Sequence, residues 1–225
     1  METRRVRLLE AGHEDYLATI YRLREVYGQA RLSDISKELG VKPSTAFKIL
    51  SQLEEKNLVK RHMYREITLT EKGEDLARKI IRKHRIAEAF LAYILGVDVF
   101  DTHYYAHYLE HLPDELIERI YVITGSPVKC PHGNVIPPTE TTERRESSKL
   151  VQYTRLSEAT CGLYRVEKIA GELSTILPVL KKLQLKPGVV IEVVEQTPKY
   201  TTIRHEHVLK EVIKRVAYTI ILEPI

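Results

Sequence analysis

Eleven consecutive residues, Thr139–Lys149 (TETTERRESSK), carry no apolar side chain, and Pro137 and Pro138 stand just before them. Such a stretch has no surface to bury against the entropy of ordering it, so residues 139–149 read as a linker. It divides the 225-residue chain into a front part of about 138 residues and a back part of about 75. Each part must then build its own core. Hydrophobic residues make up 43% of the chain, enough to do so and enough to exclude a wholly disordered protein. Cys130 and Cys161 are too few for a disulfide framework or a four-cysteine zinc site, and both read as structural. The longest apolar runs, such as Ile220–Leu222, fall far short of the ~20 residues that cross a bilayer. Met1–Glu10 is charged and lacks the apolar core of a signal peptide. The expectation is a cytoplasmic protein with no membrane partner.

The front part has helical rhythm. Leu17, Ile20, Leu23 and Tyr27 recur at helical spacing, and Gly28 supplies a stop. Ser33 can cap a short second helix containing Ile35 and Leu39, which Gly40 ends. A third helix starts near Pro43–Ser44, where a missing N–H costs nothing. Its buried face is Ala46, Ile49, Leu50 and Leu53. Leu58–Lys60 and Ile67–Leu69 read as two short strands around a tip with Arg61, His62 and Arg65. Thr70 can cap a long helix reaching about Leu95, before Gly96. Asp101 or Thr102 caps another helix to Leu112, and Asp114 a further one through Ile123. The back part reads differently: strands at Leu163–Ile169, Val189–Val194 and Thr219–Leu222, and a short helix near Ser174–Leu183. That pattern predicts a small β-barrel. The fold class is mainly α with a smaller β part, divided as 1–73, 74–138, the linker 139–149 and 150–225.

Three helices followed by a hairpin match a winged helix–turn–helix over 1–73. The tight turn Leu39–Lys42 joins the second helix to a third, which would be the recognition helix in the major groove. Its exposed positions Ser44, Thr45, Lys48 and Gln52 are residue types that contact base edges or phosphates. Lys42, Arg61 and Arg65 extend the candidate DNA-facing set. Between Lys42 and Arg65 there are six Lys or Arg against two acids, an excess equal to the +4 of the whole chain. A duplex is a dense line of phosphate charge, so this local excess fits double-stranded DNA even though the average charge is modest. The bland alternative is a three-helix segment with a solvated charged face.

The nine histidines are unevenly spread, with four of them inside His84–His111. His84 and Glu88 lie one turn apart in a row with Leu76, Ile80, Leu91 and Leu95. On the next helix, His103, His107, Glu110 and His111 form one stripe. Imidazole and carboxylate at these spacings can share a divalent cation, and mixed N/O ligation suits Mn(II), Fe(II), Co(II) or Zn(II). A hydrogen-bonded histidine stripe on an ordinary helix is the alternative for any one of them. The same residues also fit H-x-x-E-H, an inverted zinc-hydrolase signature with Glu110 as base and His107 and His111 as ligands. That alternative leaves the winged helix unexplained. A metal-independent winged-helix regulator is the other one.

In their order along the chain, these parts resemble the diphtheria-toxin-repressor/manganese-transport-regulator family of metal-dependent transcriptional repressors. The resemblance is carried by Glu14-Asp15-Tyr16-Leu17, by Arg82–Glu88, by His103 with Glu110-His111, and by Cys130-Pro131-His132-Gly133-Asn134-Val135-Ile136-Pro137. The tail is similar to the family's FeoA-like, SH3-type barrel. The resemblance implies that residues 74–138 bind metal and dimerise, and that the protein is a repressor of metal-uptake genes rather than an enzyme. It implies a primary site of Asp15, His107, Glu110 and His111. It implies an accessory site of His84, Glu88 and His103. Position 107 is Cys in iron-type and Glu in manganese-type members, so His107 leaves the metal open, with Mn(II) or Fe(II) favoured over Co(II) or Zn(II). The extra first-helix carboxylate of the manganese type falls on Ala18 and is missing. Glu172 is a nearby candidate for a ligand from the barrel. A homodimer would set two recognition helices about one DNA turn apart, ~34–36 Å. Asp114–Ile123 is its candidate interface helix, plain core packing being the alternative.

Overall fold

The computed structural model describes residues 2–62, 66–139 and 152–225, with residues 2–11 as backbone only. Arg65 and all but the first residue of the linker lie outside the described residues. The chain begins with a long helix, α1 (Glu2–Tyr27), followed by β1 (Ala30–Arg31), α2 (Leu32–Glu38) and α3 (Pro43–Glu55). Then come β2 (Val59–Arg61) and β3 (Glu66–Leu69). Gly28 and Gly40 hold φ of 71° and 64°, left-handed conformations that end α1 and α2 at little steric cost. β3 is the middle strand of a three-stranded antiparallel sheet, pairing Ile67 with Ala30 and Leu69 with Val59. Leu17, Ile20, Leu23, Ile35, Leu50, Leu53 and Ile67 close the core of this winged helix–turn–helix.

Thr70 caps α4 (Glu71–Tyr93), its hydroxyl accepting from Gly73 N at 3.1 Å. A Cβ on Gly73 would overlap the Leu58 carbonyl oxygen, because the first turn of α4 lies against the backbone leading into β2. Gly73→Ala should therefore destabilise the winged helix by about 2 kcal/mol or more, the range of overpacking that backbone cannot relieve. Thermal unfolding of the metal-free protein checks this; a melting temperature within a degree of wild type would contradict it.

α5 (Val99–Leu109) and α6 (Asp114–Ile123) complete the helical part. Three caps differ from expectation. Asp98, not Asp101 or Thr102, caps α5 by accepting from Phe100 N at 2.9 Å. α2 starts at Leu32 with Arg31 at the N-cap and no side-chain cap, and α6 starts behind Pro113 with Asp114 already helical. Neither Ser33 nor Asp114 is the cap, because the N-cap position falls two residues before Ser33 and one before Asp114. α4 also stops at Tyr93, and Leu76 and Leu95 are exposed rather than continuing the buried row.

The C-terminal part is a six-stranded antiparallel sheet in the order β4-β9-β5-β6-β7-β8. Its strands are β4 (Thr154–Arg155), β5 (Gly162–Ile169), β6 (Val190–Gln196), β7 (Tyr200–His205), β8 (Val208–Ile213) and β9 (Ile220–Pro224). Register shifts at Val166/Lys168 and Val193/Glu195 curl it around Val166, Ile169, Leu180, Ile191, Ile203 and Leu222. Helices α7 (Leu177–Leu183) and α8 (Lys214–Ala217) add Leu177, Leu180, Val216 and Ala217 to the same core. This barrel docks on the helical part through the 170–175 segment. Gly171, at φ 76°, lies against Val26 and the Arg22 carbonyl of α1. Glu38 of α2 accepts from the backbone N–H groups of Ser174 and Thr175, and from Thr175 Oγ1 at 2.8 Å. Lys181 pairs with Asp101 of α5 at 2.7 Å. Among the described residues, no helix is long and apolar enough to cross a membrane.

Candidate metal centre and nucleic-acid interface

α4 and α5 cross so that their histidines face one another in a nearly dry space. His84 and Glu88 are fully buried on α4, and His103 is 3% exposed on α5. His84 Nε2 lies 2.8 Å from His103 Nδ1, and His107 Nε2 lies 3.3 Å from His103 Nε2. These three imidazoles form one group of potential ligands. Burial pushes His103 well below the usual imidazole range, which leaves a neutral ring with lone pairs to give. Burial and Arg22 also act to lower His84, but the carboxylates of Glu88 and Glu110 outweigh them and raise it. His103 Nε2 also meets Ser174 Oγ of the barrel at 3.0 Å. Segment 170–175 thus touches the histidine group and α2 together.

α5 ends at Leu109, earlier than expected, so Glu110 is its C-cap and His111 stands in the turn beyond. That turn separates two residues expected on one stripe. Glu110 points inward, accepting from His84 Nδ1 at 2.6 Å and His107 Nδ1 at 2.9 Å. His111 points to α1: its Nε2 lies 3.5 Å from Asp15 Oδ1 and 3.7 Å from Glu110 Oε1, and its Nδ1 lies 3.2 Å from Glu14 Oε2. Asp15, Glu110 and His111 form a second group. Hydrogen bonds to Asp15 and Glu14 raise His111 to about 10. His107, expected with these three, joins His84 and His103 instead, while still bonding Glu110.

A third group, Glu88, Cys130, His132 and Glu172, is completely buried. Sequence reasoning took Cys130 as structural and left His132 out, because the two stand in a Pro/Gly turn that spacing alone cannot aim. In the structure His132 Nδ1 lies 3.2 Å from Glu88 Oε2, and Cys130 Sγ lies 3.4 Å from Glu172 Oε1. Burial, with Glu88 and Glu172, pushes the Cys130 thiol far up. Glu172 enters from the barrel at φ 41°, a conformation non-glycine residues rarely hold. Arg85 Nε at 3.0 Å and Asn134 Nδ2 at 2.6 Å fix its carboxylate there. Burial opposes the charge on Glu88, yet His132 and His84 prevail and hold its carboxyl well below the usual range.

The donor sets fit a borderline divalent cation: imidazole with carboxylate in two groups and in reach of the third. One unpartnered buried atom fits as well: His132 Nε2 has no hydrogen-bond partner, a costly state that a cation would relieve. Glu110 does not fit a hydrolytic base. Its side chain is 1% exposed and is held between His84 and His107.

Of the DNA-facing set, Lys42, Ser44, Thr45 and Lys48 are exposed on one side of α3, whose opposite side buries Ala46, Leu50 and Leu53. Gln52 is half-buried and bonded to His13 Nε2 at 3.2 Å. Arg61 is tied back: its Nε donates to Glu54 at 2.6 Å and its guanidinium covers the Phe47 ring at 4.9 Å.

A winged helix–turn–helix joined to metal-ligand groups by its own first helix defines a class of metal-responsive DNA-binding regulators. The chain matches the family models for the iron dependent repressor N-terminal DNA binding domain over residues 9–67 and its metal binding and dimerisation domain over residues 70–138. It is 37% identical over 108 residues to the HTH-type transcriptional regulator MntR of Listeria monocytogenes, covering 48% of this chain and 75% of that one. It is 28% identical over 218 residues to the diphtheria toxin repressor of Corynebacterium diphtheriae, covering 93% and 96%. The structure of the manganese regulator SloR superposes with a TM-score of 0.79 at 28% identity, covering 95% and 98%. The chain belongs to the diphtheria-toxin-repressor/manganese-transport-regulator family, whose members are DNA-binding transcriptional regulators and not enzymes.

Proposed function

We propose that this chain is a cytoplasmic homodimeric repressor of metal-uptake genes, activated on its operator by Mn(II) or Fe(II), with Co(II) and Zn(II) as weaker candidates. The observation that carries this reading is the approach of Asp15, on the helix of the DNA-binding unit, to Glu110 and His111 at the end of α5. Asp15, Glu110 and His111 would hold one cation. His84, His103 and His107, and the Glu88, Cys130, His132 and Glu172 group, offer further positions. The bound ion supplies a cross-link of positive charge and no redox step. Asp15 then restrains α1 against α5, and the angle of α3 follows because Leu17, Ile20 and Leu23 pack α1 into the same core as Leu50 and Leu53. An ion that prefers the DNA-competent arrangement shifts the population toward it, and DNA in turn tightens the ion. Tyr104, Tyr105 and Tyr108 of α5 and Leu116, Val122 and Ile123 of α6 are exposed. They support a second copy packing on α5 and α6, consistent with the dimerisation domain matched there.

The test is DNA binding to the chain's own upstream region in chelator and in each metal. Mn(II) or Fe(II) should tighten binding by roughly 5–150-fold, the usual span of allosteric coupling. Equal affinity in chelator and in every metal would sink the proposal. Lys48→Ala should weaken binding alike on all sequences and lower the salt slope by about one, while metal uptake stays unchanged.

A further inference from the structure

Phe47 is 53% exposed on α3, beside exposed Lys48 and one turn from exposed Ser44. Exposure alone says nothing, since single apolar residues are common on protein surfaces. What sets Phe47 apart is how firmly it is held while it stays open. Arg61 reaches across from β2 and lays its guanidinium over the ring, 4.9 Å from the centroid. That guanidinium is itself fixed to α3: Nε donates to Glu54 Oε2 at 2.6 Å and Nη1 to Ser51 Oγ at 3.1 Å. The Arg61 backbone N–H donates to Glu54 Oε1 at 3.1 Å, and Ser51 Oγ donates to the Phe47 carbonyl oxygen at 3.0 Å. Recognition helix and wing are thus joined around the ring.

The Arg61 charge is engaged by Glu54 instead of being offered to a phosphate. Lys42 and Lys48 can position α3 on a duplex, but a phosphate contact does not tell one base pair from another. Ser44 and Thr45 carry hydroxyls, which bond to more than one base. A rigid apolar ring adds a different discrimination. In the major groove thymine alone among the four bases shows a methyl group, and Phe is a residue type that packs on it. A ring already held by Arg61 loses little freedom on meeting that methyl group.

We propose that Phe47 determines part of the sequence specificity, its ring packing on the 5-methyl group of one thymine in each operator half-site, with Arg61 as the positioning residue that holds it. This rests on the proposed function only in placing α3 in the major groove, and the experiment separates the two. Duplexes that bind the full chain are selected from a random pool, once in Mn(II) and once in chelator. In the tightest-binding sequence each thymine is then replaced in turn by uracil, which pairs alike and lacks only the methyl group. Wild type should lose about fourfold in affinity at one thymine per half-site, the size expected for one methyl group no longer buried. Phe47→Ala should bind the thymine and uracil forms of that site equally, and Phe47→Leu, still apolar, should keep part of the preference. Arg61→Ala, which uncovers the ring, should bring the thymine-to-uracil ratio closer to one, a readout that a general loss of affinity does not move. A wild type indifferent to every uracil overturns the inference, as does Phe47→Ala with the wild-type uracil penalty. An unchanged ratio in Arg61→Ala overturns the positioning role. If Phe47→Ala does not fold, Phe47→Gln is read in its place, and the wild-type penalty retained there overturns the inference too. The same sequences selected equally well in chelator would sink the metal-dependent function and leave the uracil scan to decide on Phe47; no sequence selected in either condition overturns both.

Discussion

In saturating Mn(II), His111→Ala should bind operator DNA no better than wild type does in chelator, a loss of roughly 5–150-fold in affinity. The effect follows from where His111 stands. It is the residue that meets α1, through Asp15 Oδ1 at 3.5 Å and Glu14 Oε2 at 3.2 Å, and it also lies 3.7 Å from Glu110. Removing it leaves Asp15 without the ring that completes the cross-link. Asp15→Ala should have the same phenotype, because one link can be cut only once; the double variant should then lose no more than either single one. Stability in chelator should fall only by the part of the His111 pairing that water does not screen, the His111 side chain being 32% exposed. The readouts are fluorescence anisotropy on labelled operator and thermal melting in chelator. A His111→Ala protein that still answers Mn(II) with wild-type DNA affinity would mean that the metal works elsewhere, and the fully buried Glu88–Cys130–His132–Glu172 group would be the place to look.

That contrast between the two groups also explains what the sequence could show. The recognition unit was legible because its signals are local: apolar residues at helical spacing from Leu17 to Leu23, glycine stops at 28 and 40, and the Thr70 cap. His84, Glu88, His103 and Glu110 were legible for the same reason, being chemically unusual residues at helical spacing. The exact fate of the stripe was not. α5 ends at Leu109, three residues before the expected Leu112, and the following turn sends Glu110 inward and His111 outward, a shift that no spacing rule resolves. His132 and Glu172 were illegible for a stronger reason. His132 is aimed at Glu88 by a Pro/Gly turn, and Glu172 joins the group from the barrel, 40 residues further along the chain, so no local spacing links them. Arg85 reads as one more cation in a basic run, yet it is 2% exposed, clamped by Glu25 at 2.5 Å and Glu172 at 3.0 Å. β7 escaped notice because Thr, Arg and His dominate it, and β8 because its apolar Val208, Leu209 and Ile213 follow no period of two and are exposed. Their buried positions, Thr201, Ile203, His205 and Val212, alternate too sparsely with apolar residues to mark a strand.

Metal uptake should release close to one proton from His111 at pH 7, and apparent affinity for the Asp15–Glu110–His111 group should rise as pH rises. A ligating imidazole must be neutral, whereas Asp15 and Glu14 hold His111 protonated up to about pH 10 in the metal-free protein. An unperturbed histidine, at ~6.5, would be only about a quarter protonated at pH 7 and would release correspondingly little. Competition with the His111 proton should thus weaken metal binding by about tenfold per pH unit on going down, well above the usual histidine range. The sign for stability is opposite. A pKa raised in the folded state means that the His111 pairing stabilises fully below pH 6.5 and is lost as pH climbs toward 10. The metal-free protein should therefore lose that contribution across the very interval in which the metal gains affinity. Two measurements check this. Imidazole resonances of His111 in chelator should still be those of the charged ring at pH 8. Calorimetry in buffers of different ionisation enthalpy should give a proton release that drops in Asp15→Asn, whose neutral amide no longer holds the charged ring. A His111 resonance titrating near 6.5 in chelator would refute the pairing and, with it, the predicted pH dependence of the metal response.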